Sequence, residues 1–127
     1  MPGKIPSIVF INHWAKNLGG AEYSLLDILS FISKRVHAYL VTSEPGALIV
    51  KAASFPVESR IVPCSLKPGK NIRDHFFRML VFSGKDVVSF IRFVFSVSRL
   101  IKKVKPEIVH ANIPLSHLSL FLLVLTG

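Results

Sequence analysis

Four short runs of apolar, mostly β-branched residues punctuate this chain, and no other feature limits its possible folds as tightly. They are Ser7–Asn12, His37–Thr42, Arg60–Cys64 and Glu107–Asn112. Within each run the apolar residues are continuous, the pattern of parallel strands covered on both faces. Between them lie segments with helical spacing: Ala21–Lys34, Ala47–Phe55, a basic stretch from Ile72 to Lys105, and Leu115–Leu125. Strands alternating with helices predict right-handed βαβ units and a doubly wound parallel α/β sheet. A chain of 127 residues, half of them hydrophobic, can bury the core of one such domain.

In Ala21–Lys34 the residues Leu25, Leu26, Ile28, Leu29 and Ile32 recur every three or four positions, predicting a stripe that faces the sheet. Gly84 divides the basic stretch, so Ile72–Ser83 reads as a separate short helix or lid-like piece. From Asp86 to Val104 a polar row of Ser89, Arg92, Ser96, Arg99 and Lys103 faces outward. Val87, Val88, Phe90, Ile91, Val94, Phe95, Val97 and Ile101 fill the rest of the circumference, predicting a mostly buried helix with a narrow cationic ridge. Lys102, Lys103 and Lys105 suit its C-terminal dipole by roughly 0.3–1 kcal/mol each, and Pro106 stops it. Thr126–Gly127 reads as a helix C-cap, after which the alternation calls for a further strand.

Charge is unevenly spread. Residues 60 to 105 hold eleven Lys and Arg against Asp74 and Asp86, which accounts for the entire net charge of +9. Such a patch attracts ligand phosphates, anionic lipid headgroups or nucleic acid, and charge alone does not choose among them. Against nucleic acid, the aromatics of this region fall on apolar helical faces, and no nucleic-acid motif is present. The single cysteine, Cys64, excludes an intramolecular disulfide and reads as a small apolar side chain within a strand. The N-terminus lacks the apolar core of a secretory signal, and the apolar part of the last segment, Leu120–Leu125, is far short of the ~20 residues that span a bilayer. A cytoplasmic protein without a transmembrane helix is expected.

The stretch Asn12–Tyr23 joins the first strand to the first helix at the strand's carboxyl end, where open α/β sheets bind ligands. Gly19 and Gly20 have two readings there: a turn requiring positive φ, or a loop whose backbone approaches a phosphate at the helix N-terminus. Glu22 suits the first turn of that helix whatever the function. His13 is either a ligand contact or, as the favoured reading, a solvent-facing loop residue. His110 lies near the carboxyl end of the fourth strand, as a satisfied core histidine or as a group that bonds a sugar hydroxyl or carries a proton. Asn112 and Ser116 follow as polar contacts. The five histidines include no i,i+4 pair and there is one cysteine, so no metal site is expected. Dinucleotide, P-loop and nucleophile-elbow motifs are absent from the sequence.

Together, Ile8–Asn12, the Leu18-Gly-Gly-Ala-Glu22 loop and Lys105-Pro-Glu-Ile-Val-His-Ala-Asn112 resemble the N-terminal domain of family 4 glycosyltransferases. The resemblance covers essentially the whole chain, with residues 66 to 100 matching only in character. It implies the truncated N-terminal half of a GT-B architecture, in which two Rossmann-like domains face each other across a cleft. The activity implied is metal-independent, retaining transfer from a UDP- or GDP-sugar to a glycan or lipid-linked acceptor, as in cell-envelope polysaccharide synthesis. No cofactor is implied beyond that donor substrate. Gly19 and Gly20 would face the donor's phosphates and sugar, and His110 the transferred sugar.

The Glu-x7-Glu motif of the family's second domain is not in this sequence, so a C-terminal domain or a partner chain is expected to supply the donor site. The resemblance also implies peripheral docking on the cytoplasmic face of the membrane. Lys67, Lys70, Arg73, Arg78 and Lys85, flanking Phe76, Phe77 and Phe82, would then meet anionic lipids. The competing readings are a non-enzymatic α/β module whose basic face holds anionic lipid or nucleic acid, and a GT-B epimerase or phosphorylase. On the favoured reading the 127-residue protein alone transfers no sugar, and measurable transfer from a radiolabelled UDP- or GDP-sugar by the purified chain would contradict it.

Overall fold

Every residue of the first strand, β1 (Ser7–Ile11), is buried, because it lies inside a sheet that is covered on both faces. The computed structural model describes residues 3–64 and 84–112, without the side chains of residues 84–87. In chain order β1 is followed by α1 (Gly20–Ile32), β2 (His37–Thr42), α2 (Ala47–Ala52), β3 (Val57–Ile61), α3 (Gly84–Val104) and β4 (Ile108–Ala111). The strands form one parallel sheet in the order β3-β2-β1-β4. This is the Rossmann-like, doubly wound α/β arrangement that the alternation of runs predicts.

The pleat of β1 divides its side chains between two cores. Ile8 and Phe10 pack with Ala38 and Leu40 of β2 against Leu25, Leu26 and Leu29 of α1 and Leu48 of α2. Val9 and Ile11, with Val41, pack against Phe90, Phe93, Val94 and Val97 of α3. The chain winds outward from β1 to β3 with its helices on one face. It then crosses back along the other face, through α3, to lay β4 on the free side of β1. The direction of winding therefore reverses between β1 and β4.

At the amino end of that pair, the Glu107 carboxylate accepts from both the backbone N–H (2.6 Å) and the hydroxyl (3.0 Å) of Ser7, fastening β4 to β1. The Ser7 N–H and hydroxyl hold the Glu107 carboxyl below its usual range. Lys105 closes α3 in the left-handed region (φ 51°), its N–H bonded to the Ile101 carbonyl at 2.7 Å, and Pro106 then leads into β4.

Several expectations are corrected. The third strand was expected over Arg60–Cys64, but the ladder with β2 runs from Ala38↔Val57 to Thr42↔Ile61. Pro63 has no N–H to donate to a ladder, whereas Glu58, Ser59 and Arg60 are tolerated in a strand whose outer side faces solvent. Glu58 and Arg60 form an ion pair there. Cys64 falls just beyond the strand, half-buried against the α3-side core. Burial on both faces holds for β1 and most of β2, but β4 leaves Ile108 and His110 exposed. In α1, Leu25, Leu26 and Leu29 are buried, but Ile28 sits about a quarter-turn off that line and is 41% exposed.

The largest correction concerns α3. Phe90, Phe93, Val94 and Val97 are buried, but Val88, Ile91 and Phe95 lie on the opposite side and are 49, 45 and 60% exposed. One sheet face can cover only about half of a helix, so a nearly all-round apolar sequence leaves a second stripe outside. No described helix is long and apolar enough to cross a membrane. The expected helices Ile72–Ser83 and Leu115–Leu125 lie outside the described residues. Phe93→Ala is expected to cost about 3–5 kcal/mol and Phe95→Ala within about 0.5 kcal/mol, a contrast readable by urea denaturation.

Candidate functional site

In a doubly wound sheet the strand carboxyl ends diverge where the winding reverses, opening a crevice for a ligand. Here that place lies between β1 and β4, and two asparagines follow directly on the two strands. The Asn112 amide donates to the Asn12 Oδ1 at 2.8 Å and to the Ala21 carbonyl at 3.0 Å. The Asn12 amide, fully buried, donates to the Trp14 carbonyl at 2.6 Å. One side-chain chain of bonds thus ties the end of β4, the end of β1, the loop beyond it and the first turn of α1. The buried Asn12 side chain costs about 1–3 kcal/mol if one of its partners is removed, whereas the Asn112 bond to the Ala21 carbonyl is exposed.

The first half of the loop is held from the β2 side. The Glu44 carboxylate accepts from the N–H groups of Ala15 (3.1 Å) and Lys16 (3.0 Å). The carbonyl of His13 accepts from both the N–H (2.8 Å) and the hydroxyl (2.6 Å) of Ser43. Gly46 lies so close beneath the loop that a Cβ there would stand 2.5 Å from the Ala15 carbonyl oxygen. The loop enters the site as a fixed piece.

Its second half ends on the glycines. Gly19 is the N-cap of α1 in extended conformation (φ −109°, ψ −170°), and neither Gly19 nor Gly20 has positive φ, so the turn reading of the pair is not what the backbone requires. A Cβ on Gly20 would meet nothing within 4 Å, leaving open space beside the start of the helix. Glu22, buried, turns back and accepts from the Gly19 N–H at 2.9 Å. That is the half of a capping box a glycine N-cap permits, and it gives Glu22 a structural role.

The two histidines singled out from the sequence lie on opposite faces of the sheet. His110 pairs in register with Phe10, rests against its ring at a centroid distance of 5.5 Å, and is exposed on the α1 side of β4. His13 is not a solvent-facing loop residue. It is fully buried on the α3 side, its ring 4.2 Å from that of Phe93 and 6.2 Å from that of Phe90. Burial pushes the His13 imidazole down to about 3, so it is neutral at physiological pH. The expectation failed because it assigned the residue after a strand to solvent, while α3, seventy residues on, comes back over it.

Of the residues proposed from the sequence, the fold brings Gly19, Gly20, Glu22, His110 and Asn112 to one edge, and removes His13 from it. Lys67, Lys70, Arg73, Arg78 and Ser116 lie outside the described residues. Lys85 falls in the first turn of α3, and its side chain is not described. Asn12, Ser43 and Glu44 were missed. Asn12 carried a readable signal, a polar residue directly after the apolar run Ile8–Ile11, but Glu44 stood in an ordinary-looking turn sequence. A shallow groove of about 430 Å³ between α1 and α2, lined by Tyr23, Leu26, Val50, Lys51, Ser54 and Phe55, includes none of the site residues.

Comparison with protein-family models, curated proteins and solved structures finds no match for this chain.

Two outcomes follow from this geometry. Asn112→Ala, which leaves the buried Asn12 Oδ1 without that donor, is expected to lower stability by about 1–3 kcal/mol in urea denaturation. For His13, the unfolded chain takes up a proton near pH 6.5 and the folded one near 3. Stability is therefore intact above the unfolded value and falls as pH drops from 6.5 towards 3. Between pH 7 and pH 5 this amounts to about 2 kcal/mol, and His13→Gln should flatten that portion of the stability profile.

Proposed function

We propose that the crevice between β1 and β4 receives the diphosphate and sugar of a nucleotide sugar, and that the chain is the acceptor-side domain of a glycosyltransferase. One observation carries the reading. The Asn112 bond to the Ala21 carbonyl draws the end of β4, and with it the exposed His110, to the glycine-led first turn of α1. A helix N-terminus without a side-chain cap offers N–H groups and a positive dipole end to a phosphate, and Gly20 leaves room for it. An imidazole at the neighbouring strand end can bond a sugar hydroxyl or pass a proton. The resemblance of the Gly-Gly-Ala-Glu loop and the Pro-Glu-Ile-Val-His strand to family 4 glycosyltransferases supports the same assignment.

In this reading the bond between the sugar's anomeric carbon and the diphosphate breaks, and a bond to an acceptor hydroxyl oxygen forms. The acceptor's proton leaves with the nucleoside diphosphate. The donor's nucleotide is held by a second α/β domain, in the same polypeptide or a partner. UDP and GDP are the nucleotides proposed. The alternative, a non-enzymatic module with a basic face, draws on the cations of α3.

The decisive experiment starts at the encoding DNA. Translation beyond codon 127 should reveal a strand and an α/β domain carrying Glu-x7-Glu, and the completed enzyme should release nucleoside diphosphate from a UDP- or GDP-sugar. His110→Ala in that enzyme is expected to lower the rate about 10²–10⁴-fold with the fold retained. An unchanged rate would remove His110 from the chemistry, and absence of any second domain or partner would favour the binding module.

A further inference from the structure

The outward side of α1 presents an aromatic ring to solvent. Phe31 is 73% exposed, the most exposed large apolar side chain among the described residues. It stands in the last turn, on the side turned away from Leu25 and Leu29, which pack on the sheet. Its neighbours three and four residues away are Asp27, Ile28, Lys34 and Arg35, and every one of them is exposed. The Arg35 guanidinium lies over the Phe31 ring, 5.3 Å from its centroid, which holds the cation against the ring. Among the described residues, neither Asp27 nor Arg35 takes part in an ion pair. The order along this ridge is therefore an acid, a ring four residues on, and a base four residues beyond the ring.

We propose that this ridge is a two-fold interface between two copies of the chain. A two-fold axis through Phe31 sets the two α1 helices antiparallel and brings residues equally spaced before and after Phe31 opposite each other. Asp27 of each copy then meets the partner's Arg35, on either side of a contact between the two Phe31 rings, and Ile28 meets the apolar stem of the partner's Lys34. Charge complementarity selects the occupant. The ridge matches its own copy in charge, whereas a lipid or nucleic-acid surface would press phosphates against Asp27 beside the ring. The axis lies about 16 Å along the helix from Gly20, so the glycine turn stays open in both copies. The inference does not depend on sugar transfer.

The test is sedimentation velocity of the 127-residue protein over a range of concentrations at low salt. A contact of about two helical turns a side is small, so a dimer with a dissociation constant on the order of 10–100 μM is expected. Phe31→Ser should weaken it about a hundredfold, because both rings lose their cover, and should leave the melting temperature unchanged. Asp27→Arg and Arg35→Asp each set like charges opposite one another at two places and should weaken self-association at least about tenfold. Mixed in equal amounts, these two variants present opposite charges at both places and should form a heterodimer. Four results would overturn the proposal. They are a monomer at every concentration, a dimer that survives Phe31→Ser, a mixture no more associated than the two charge variants alone, and a ring already covered within the chain. The last would register as a melting-temperature loss in Phe31→Ser comparable to that of Phe93→Ala.

Discussion

The described architecture depends on the burial of β1 from both sides. Alternate side chains of one five-residue strand are shared between two cores, so neither helical layer can form fully without the other. A strand of this kind fixes register as well as position. Slipping it by one residue would exchange Phe10 for Val9 and drive each into a layer packed for the other. β2 and β4 pair with β1 in step, so whatever follows those strands inherits the same alignment.

That alignment places the candidate site. Asn12 and Asn112 are a hundred residues apart in sequence, yet each directly follows one of two registered strands, and their amides meet. Glu44 and Ser43, following β2, hold the loop from the other side. The glycine loop is therefore shaped by three strand ends before any ligand arrives. Preorganisation of this kind spares a ligand the entropy of ordering the loop. Glu22 belongs to the same frame, since its carboxylate serves the Gly19 N–H.

Helix α3 has two duties on opposite sides. Its inner face closes the second core and covers His13, whose neutral state follows from that burial. Its outer face carries an apolar and cationic stripe that no described residue packs on. The protein's excess positive charge is thus partly organised on a helix whose position is set by the core.

Much of this was legible in the residues themselves. Continuous apolar runs alternating with helical spacing point to a doubly wound sheet, because strands covered on both faces carry such runs; β1 and most of β2 are covered in this way, whereas β4 leaves Ile108 and His110 exposed. Gly84 and Pro106 delimited α3, because each acts locally on backbone freedom. The glycine loop and His110 were correctly assigned to strand carboxyl ends, a matter of position within one element. Tertiary structure decided the rest. That His13 is buried, that Asn12 bonds Asn112, that Glu44 braces the loop and that Phe95 faces outward while Phe93 faces inward all depend on which distant element arrives opposite. A local pattern states which faces are apolar, and only the packed chain states what meets them.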